Sequence, residues 1–159
     1  MSMNLSTAFC ARTWPKLYPF LQTRFNESLA RFSPDGRWVV YQADESGRFE
    51  IYAAPFPGPD AKRQVSGGGG SYPRWRRDGK EIFYVSDAGG LMATEVSQKR
   101  DEFEIGGTKG PIFGGMALGN EVPYDVTADG KRFIALVGTE QGSSAPLTLV
   151  QHWAAGLKK

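Results

Sequence analysis

Few residues in this chain are of types that do chemistry unaided, and their scarcity excludes much. Cys10 is the only cysteine and His152 the only histidine. A single cysteine permits neither an internal disulfide nor a thiolate metal cluster built from one chain. His152 is the one base available to a Ser-His-Asp or Cys-His arrangement, and no Gly-x-Ser-x-Gly elbow supplies it with a nucleophile. Beside Trp153, near the end of an apolar strand, it reads as structural. The carboxylates are more regular. Asp35, Asp78 and Asp129 occupy one position of a recurring hexapeptide: Phe32-Ser33-Pro34-Asp35-Gly36-Arg37, Trp75-Arg76-Arg77-Asp78-Gly79-Lys80 and Val126-Thr127-Ala128-Asp129-Gly130-Lys131. General acid-base work or metal ligation would suit an isolated member. Recurrence makes all three turn formers, because Asp bonds backbone two residues on and Gly36, Gly79 and Gly130 tolerate positive φ. Asp44-Glu45 and Asp101-Glu102 are hairpin or loop charges by the same reasoning. No catalytic residue, metal ligand or cofactor is assigned.

Two further clusters invite a ligand. Gly67 to Gly70 could let backbone amides approach an anion, yet no helix and no Lys-Ser/Thr pair follows, so a flexible connection is the better reading. Arg74, Arg76, Arg77 and Lys80, interleaved with Tyr72 and Trp75, have the composition of a nucleic-acid patch. The 19 cations and 17 acids of the 159 residues leave a net charge of only +2. At that balance the cations read as a solvated turn and Trp75 as packing between sheets, as Phe32 and Val126 would. No nucleic-acid partner is expected.

The elements that must position these residues are strands. Twenty glycines, ten prolines and 13% aromatics describe short strands and tight turns, and the class is all-β. The three aspartates are 43 and 51 residues apart, a period suited to four-stranded propeller blades. Blades are expected at about 29–66, 72–114 and 123–153. Gln98 to Gly110 is expected to be a longer surface connection, with the second blade's outer strand near Pro111-Ile112-Phe113. The third repeat ends without a fourth strand. Pro19-Phe20-Leu21-Gln22-Thr23 stands before the first repeat as outer strands stand before the others, so residues 19–23 read as an orphan outer strand. Residues 1–18 are an unassigned extension to a domain spanning 19–159. Neither a signal-peptide core in Met1 to Leu21 nor a run of about 20 apolar residues is present, so no membrane partner is expected; the compartment is left unknown, with cytoplasmic the expectation for the chain as written.

The run Ala30-Arg31-Phe32-Ser33-Pro34-Asp35-Gly36-Arg37-Trp38-Val39-Val40-Tyr41, continuing through Phe49-Glu50-Ile51-Tyr52 and Pro55-Phe56-Pro57, resembles the TolB-like, WD-type β-propeller repeats. The chain is most similar to the propeller appended to bacterial receptor-type serine/threonine kinases. Their last blades have a similar Pro-Arg-Trp and Arg-Asp-Gly-Lys-Glu, here Pro73 to Trp75 and Arg77 to Glu81, and their C-terminus resembles Leu147 to Lys159. The second and third repeats replace Ser-Pro with Arg76-Arg77 and Thr127-Ala128. No Gly-rich loop joined to a catalytic lysine, and no HRD or DFG set, is present, which excludes kinase activity for this chain. The resemblance implies three antiparallel blades, half of a six-bladed ring, and a scaffold rather than a chemistry.

Half a ring leaves two blade faces open. A homodimer would close it, each segment 19–23 completing the partner's third blade; the competing outcome is an open monomer whose N-terminal strand folds back. In a propeller the connections from outer to inner strands gather at the mouth of the central channel. Here they offer Arg24, Asn26 and Glu27, then Ser71 and Tyr72, then Asn120, Glu121 and Tyr124, with Arg31, Arg74 and Asp125 at equivalent inner-strand positions. These are the residues expected to bind a protein, a peptide or a small polar ligand, unless the charged trio is consumed as inter-blade ion pairs. The alternative function is a propeller hydrolase or lyase using acidic loop residues and His152.

Overall fold

The repeated Asp-Gly turns reverse the chain between apolar runs too short and too β-branched for helices, and each reversal pairs consecutive strands. The computed structural model describes residues 8–9, 18–99, 102–119, 122–138 and 147–151, and among these there are thirteen strands and no helix. A two-stranded ribbon joins β1 (Ala8–Phe9) to β2 (Tyr18–Pro19). The first blade is the meander β3 (Glu27–Phe32), β4 (Trp38–Ala43), β5 (Glu50–Pro55) and β6 (Arg63–Gln64). The second is β7 (Ser71–Trp75), β8 (Glu81–Val85), β9 (Leu91–Lys99) and β10 (Glu102–Phe113). The third has three described strands, β11 (Tyr124–Val126), β12 (Arg132–Leu136) and β13 (Leu147–Gln151). All pairings are antiparallel.

Blades stack face to face, so β4 and β8 are buried on both sides and read as continuous apolar runs rather than alternating ones. Their alternation survives as a choice of neighbour. Four positions after each turn aspartate stand Val39, Ile82 and Phe133, which face the preceding blade; Val40, Phe83 and Ile134 follow them and face the next. Val40, Ile51 and Ala53 thus meet Ile82 and Tyr84 between blades one and two. Phe83, Val85 and Leu91 meet Phe133 and Ala135 between blades two and three, with the Phe83 and Phe133 rings edge to face at 5.0 Å.

The stacking leaves two outer faces. Phe32 lies where Trp75 and Val126 pack against the blade before them, and it is 48% exposed. Ile134, the register equivalent of the fully buried Val40 and Phe83, is 38% exposed.

One expectation is corrected. Gln98 to Gly110 is not a surface connection: β9 runs on to Lys99 and β10 begins at Glu102, paired from Glu102 with Lys99 to Phe113 with Leu91. Val96 and Phe103 bury in the core between blades one and two, the Thr94 and Thr108 hydroxyls pair at 2.8 Å, and Lys109 donates to Glu95. The glycines that suggested a loop, Gly106 and Gly107, sit in a register shift between Ile105 and Thr108, where a bulge absorbs them. Within the single chain the segment 19–23, read as an orphan outer strand, pairs with no blade. Only Tyr18–Pro19 is extended, paired with Ala8–Phe9, while Phe20 and Leu21 bury against Val39, Tyr41, Ala43, Tyr52 and Ala54 of blade one. The physical reason is cover: without a preceding blade, that apolar face takes the nearest apolar side chains of its own chain.

Candidate functional site

The three aspartates build one turn by two chemistries. In each copy the glycine amide bonds the carbonyl three residues before it: Gly36 to Ser33, Gly79 to Arg76 and Gly130 to Thr127 at 2.8–2.9 Å. In each, Oδ1 of the aspartate accepts from the amide two residues on, that of Arg37, Lys80 or Lys131. Ser33 and Thr127 donate their hydroxyls to Asp35 and Asp129 at 2.6 Å. Arg76 takes that role in the second copy, donating Nε and Nη2 to the two oxygens of Asp78 at 2.7 Å and Nη1 to Glu81 at 2.7 Å. The hydrogen bond from Arg76 holds the Asp78 carboxyl below its ordinary range, and the Thr127 hydroxyl does the same for Asp129. These carboxylates are engaged in holding backbone. A cleft of about 630 Å³ between the first two turns is lined by Asp35, Arg37, Arg76, Asp78, Glu95 and Gln98. Arg37 pairs with Asp35, Arg76 with Asp78 and Glu81, and Glu95 with Lys109, and the cleft lies at the turn end of β3 and β7.

At the other end of the inner strands, where the channel mouth is expected, the predicted residues form two groups. Arg24 is exposed over the Phe25 ring at 5.0 Å. Asn26 donates its amide and Nδ2 to Asp44 at 2.9 and 2.6 Å, and the Asp44 carboxyl is lowered by those bonds. Glu27, buried at the start of β3, accepts from the Thr23 hydroxyl. These three fix the entry into blade one. The second group surrounds Tyr72. Its amide donates to Oε1 of Gln42 in blade one at 2.9 Å, its carbonyl accepts from the Tyr124 hydroxyl of blade three at 2.8 Å, and its own hydroxyl bonds the carbonyl of Gly119. Tyr72 has φ 60°, as Leu29 at the same repeat position has 55°, and each stands in a bulge of its inner strand. A left-handed tyrosine costs about 1–3 kcal/mol unless its surroundings hold it; here two neighbouring blades do. The third copy has Pro123 there, whose ring forbids positive φ.

Ser71 begins β7, half-buried opposite Val85. Burial pushes the Tyr124 hydroxyl well above the usual range, and Arg74 and Asp125 act on it in opposite directions. Asp125 is exposed and Arg74 half-buried; Arg31 is exposed at the turn end of β3, and its carbonyl accepts from Nε1 of Trp75 at 3.3 Å. Among the described residues no ion pair joins Arg31, Arg74 and Asp125. Asn120, Glu121 and His152 lie outside the residues whose side chains the structure describes.

Sequence reasoning missed Gln42 and Glu50. Gln42 is the one amide in the run Trp38 to Ala43, a polar residue that must find a partner when both faces bury. Glu50 is 3% exposed, and the Gly-rich loop closes over it. Gly68 and Gly69 donate their amides to Oε1 at 3.0 and 2.8 Å, and the Ser66 hydroxyl bonds Oε2. The loop is therefore an anion cradle whose anion is the protein's own carboxylate. Part of the basic-aromatic cluster also turns inward, with Arg76 spent on Asp78 and Glu81 and Trp75 edge-on to Phe103, while Arg77 and Lys80 stay exposed. Among the described residues no three His, Cys, Asp or Glu side chains converge on a metal position, and no helix is long and apolar enough to cross a membrane.

No family model and no curated protein matches this chain. Solved structures do. TolB from Acinetobacter baumannii is similar over 86% of this chain and 32% of its own, with a TM-score of 0.60 and 15% identity. A putative 6-phosphogluconolactonase from Bacteroides uniformis is similar over 82% and 40%, with a TM-score of 0.54 and 14% identity. An oligogalacturonate lyase from Vibrio parahaemolyticus is similar over 82% and 35%, with a TM-score of 0.52 and 14% identity. At such identities the likeness is one of fold. The chain is an all-β, TolB-like half propeller spanning roughly a third to two-fifths of these structures.

Proposed function

We propose that this chain is a non-enzymatic binding scaffold, half of a six-bladed propeller that a second copy completes, with the channel mouth around Tyr72 and Tyr124 as its recognition surface and Arg74 and Asp125 further along the same inner strands. The observation that supports it is the pair of open faces. Phe32 and Ile134 stand at register positions that are packed at the two internal blade interfaces, and they are exposed at opposite ends of the three-blade stack. Exposed apolar residues on flat sheet faces mark association surfaces. The bonding of the site supports binding over catalysis: the turn carboxylates hold backbone, whereas, among the described residues, Arg74 and Asp125 form no ion pair with each other. Relationship to the propeller half of bacterial receptor-type kinases is the finer part of the same reading, and it fits a sensor that presents a surface.

Light scattering coupled to gel filtration tests the assembly: a mass of two chains is expected at micromolar concentration, and a stable monomer there would sink it. A broad hydrolase and lyase screen tests the rest. No turnover is expected; turnover abolished by His152→Ala would replace the scaffold with an enzyme.

A further inference from the structure

The covered part of blade one's open face has a second use, which rests on the ring-closure reading. We infer that Tyr18–Leu21 is a removable strap over a docking surface whose proper occupant is the third blade of a second copy. The chain contains two examples of the contact such a surface makes. In the first, Val40 and Ile51 pack on Ile82 and Tyr84; in the second, Phe83 and Val85 pack on Phe133 and Ala135. Continuing the register, Ile134 and Leu136 of the third blade are due to pack on Val39 and Tyr41 of the first. That place is taken by Phe20 and Leu21, each 7% exposed, with Phe20 also against the Phe56 ring at 5.9 Å.

Strap and third blade therefore compete for the same side chains. The strap is the poorer fit. It leaves Phe32 48% exposed, with the Phe56 ring edge-on to it at 5.0 Å, although Trp75 and Val126 at the same repeat position are packed. Its own anchorage is a two-residue strand paired with another two-residue strand, whereas a docked blade would present whole strands. The occupant is a second copy because the matching face is one this chain itself bears, in the register of interfaces it already makes. A monomer shielded in this way stays unassociated until concentration favours closure.

The test uses the full chain and its dimer dissociation constant from sedimentation equilibrium. Phe20→Ser with Leu21→Ser removes the cover and leaves the blades whole; the dimer should tighten about tenfold, since a competing intramolecular ligand is lost. Leu21→Ala, a milder change, should shift the constant in the same direction, and a urea midpoint for each variant establishes that it folds. Ile134→Lys should abolish association in both backgrounds. A wild-type dimer whose dissociation constant is lowered neither by Leu21→Ala nor by the double variant would overturn the strap while ring closure stands. Monomers throughout would overturn ring closure itself, and the strap with it.

Discussion

Arg76 shows at the scale of one residue how a turn survives the loss of its usual hydroxyl. Where the other two copies use Ser33 and Thr127, its guanidinium spans Asp78 and Glu81. Because the folded Asp78 carboxyl is lowered from 3.8, chiefly by that bond, the folded state binds fewer protons than the unfolded state in acid. The stability it contributes is present above 3.8 and is lost as pH falls through the folded value. Arg76→Met should therefore flatten the acid limb of stability, measured as urea midpoint against pH, and reduce stability at neutral pH by more than it does in acid. Glu50 gives a sharper case. Glu50→Ala would leave the amides of Gly68 and Gly69 and the Ser66 hydroxyl without their acceptor. Each buried orphan costs about 1–3 kcal/mol, so a loss of about 3 kcal/mol is expected in chemical denaturation.

Among the elements, the repeated turns are equal in backbone and unequal in surroundings. Gly36, Gly79 and Gly130 have φ of 73°, 72° and 70°. An added Cβ at Gly36 meets nothing, at Gly79 it comes within 3.3 Å of Gln98 Nε2, and at Gly130 within 2.6 Å of Arg76 Cδ. Gly36→Ala should cost about 1–2 kcal/mol from the left-handed backbone alone, and Gly130→Ala more, with thermal melting giving the order. The inner strand β7 is fixed from both neighbours at Tyr72. Tyr124→Phe would orphan the Tyr72 carbonyl and cost about 1–2 kcal/mol in urea denaturation. Of these elements, the turns and the strands flanking them were legible because Pro, Asp and Gly act locally. The β9–β10 hairpin was not, because Gly106-Gly107 has the composition of a loop and only the register of Phe103 and Thr108 against the neighbouring strand makes it a bulge.

For the whole molecule the balance lies between a strand folded back and a ring closed by a second copy. It turns on the two end faces, so Phe32→Asp should weaken association, and loss of the edge-to-face contact with Phe56 should lower the monomer's melting temperature by about 2–4 °C. Sedimentation equilibrium and thermal melting of that variant check the two halves of the expectation. The chain's own order of residues determined the class, the number of turns and the period of the blades, because each follows from contacts a few residues long. It also placed Arg24, Asn26, Glu27, Tyr72 and Tyr124 at blade entries. What those side chains bond was decided by tertiary structure alone: Gln42 reaching the Tyr72 amide across blades, Glu50 filling the glycine cradle, and Phe20 and Leu21 covering blade one. Such contacts depend on which strands become neighbours after stacking, and two-residue periodicity within a strand cannot specify the surface that its far face will meet.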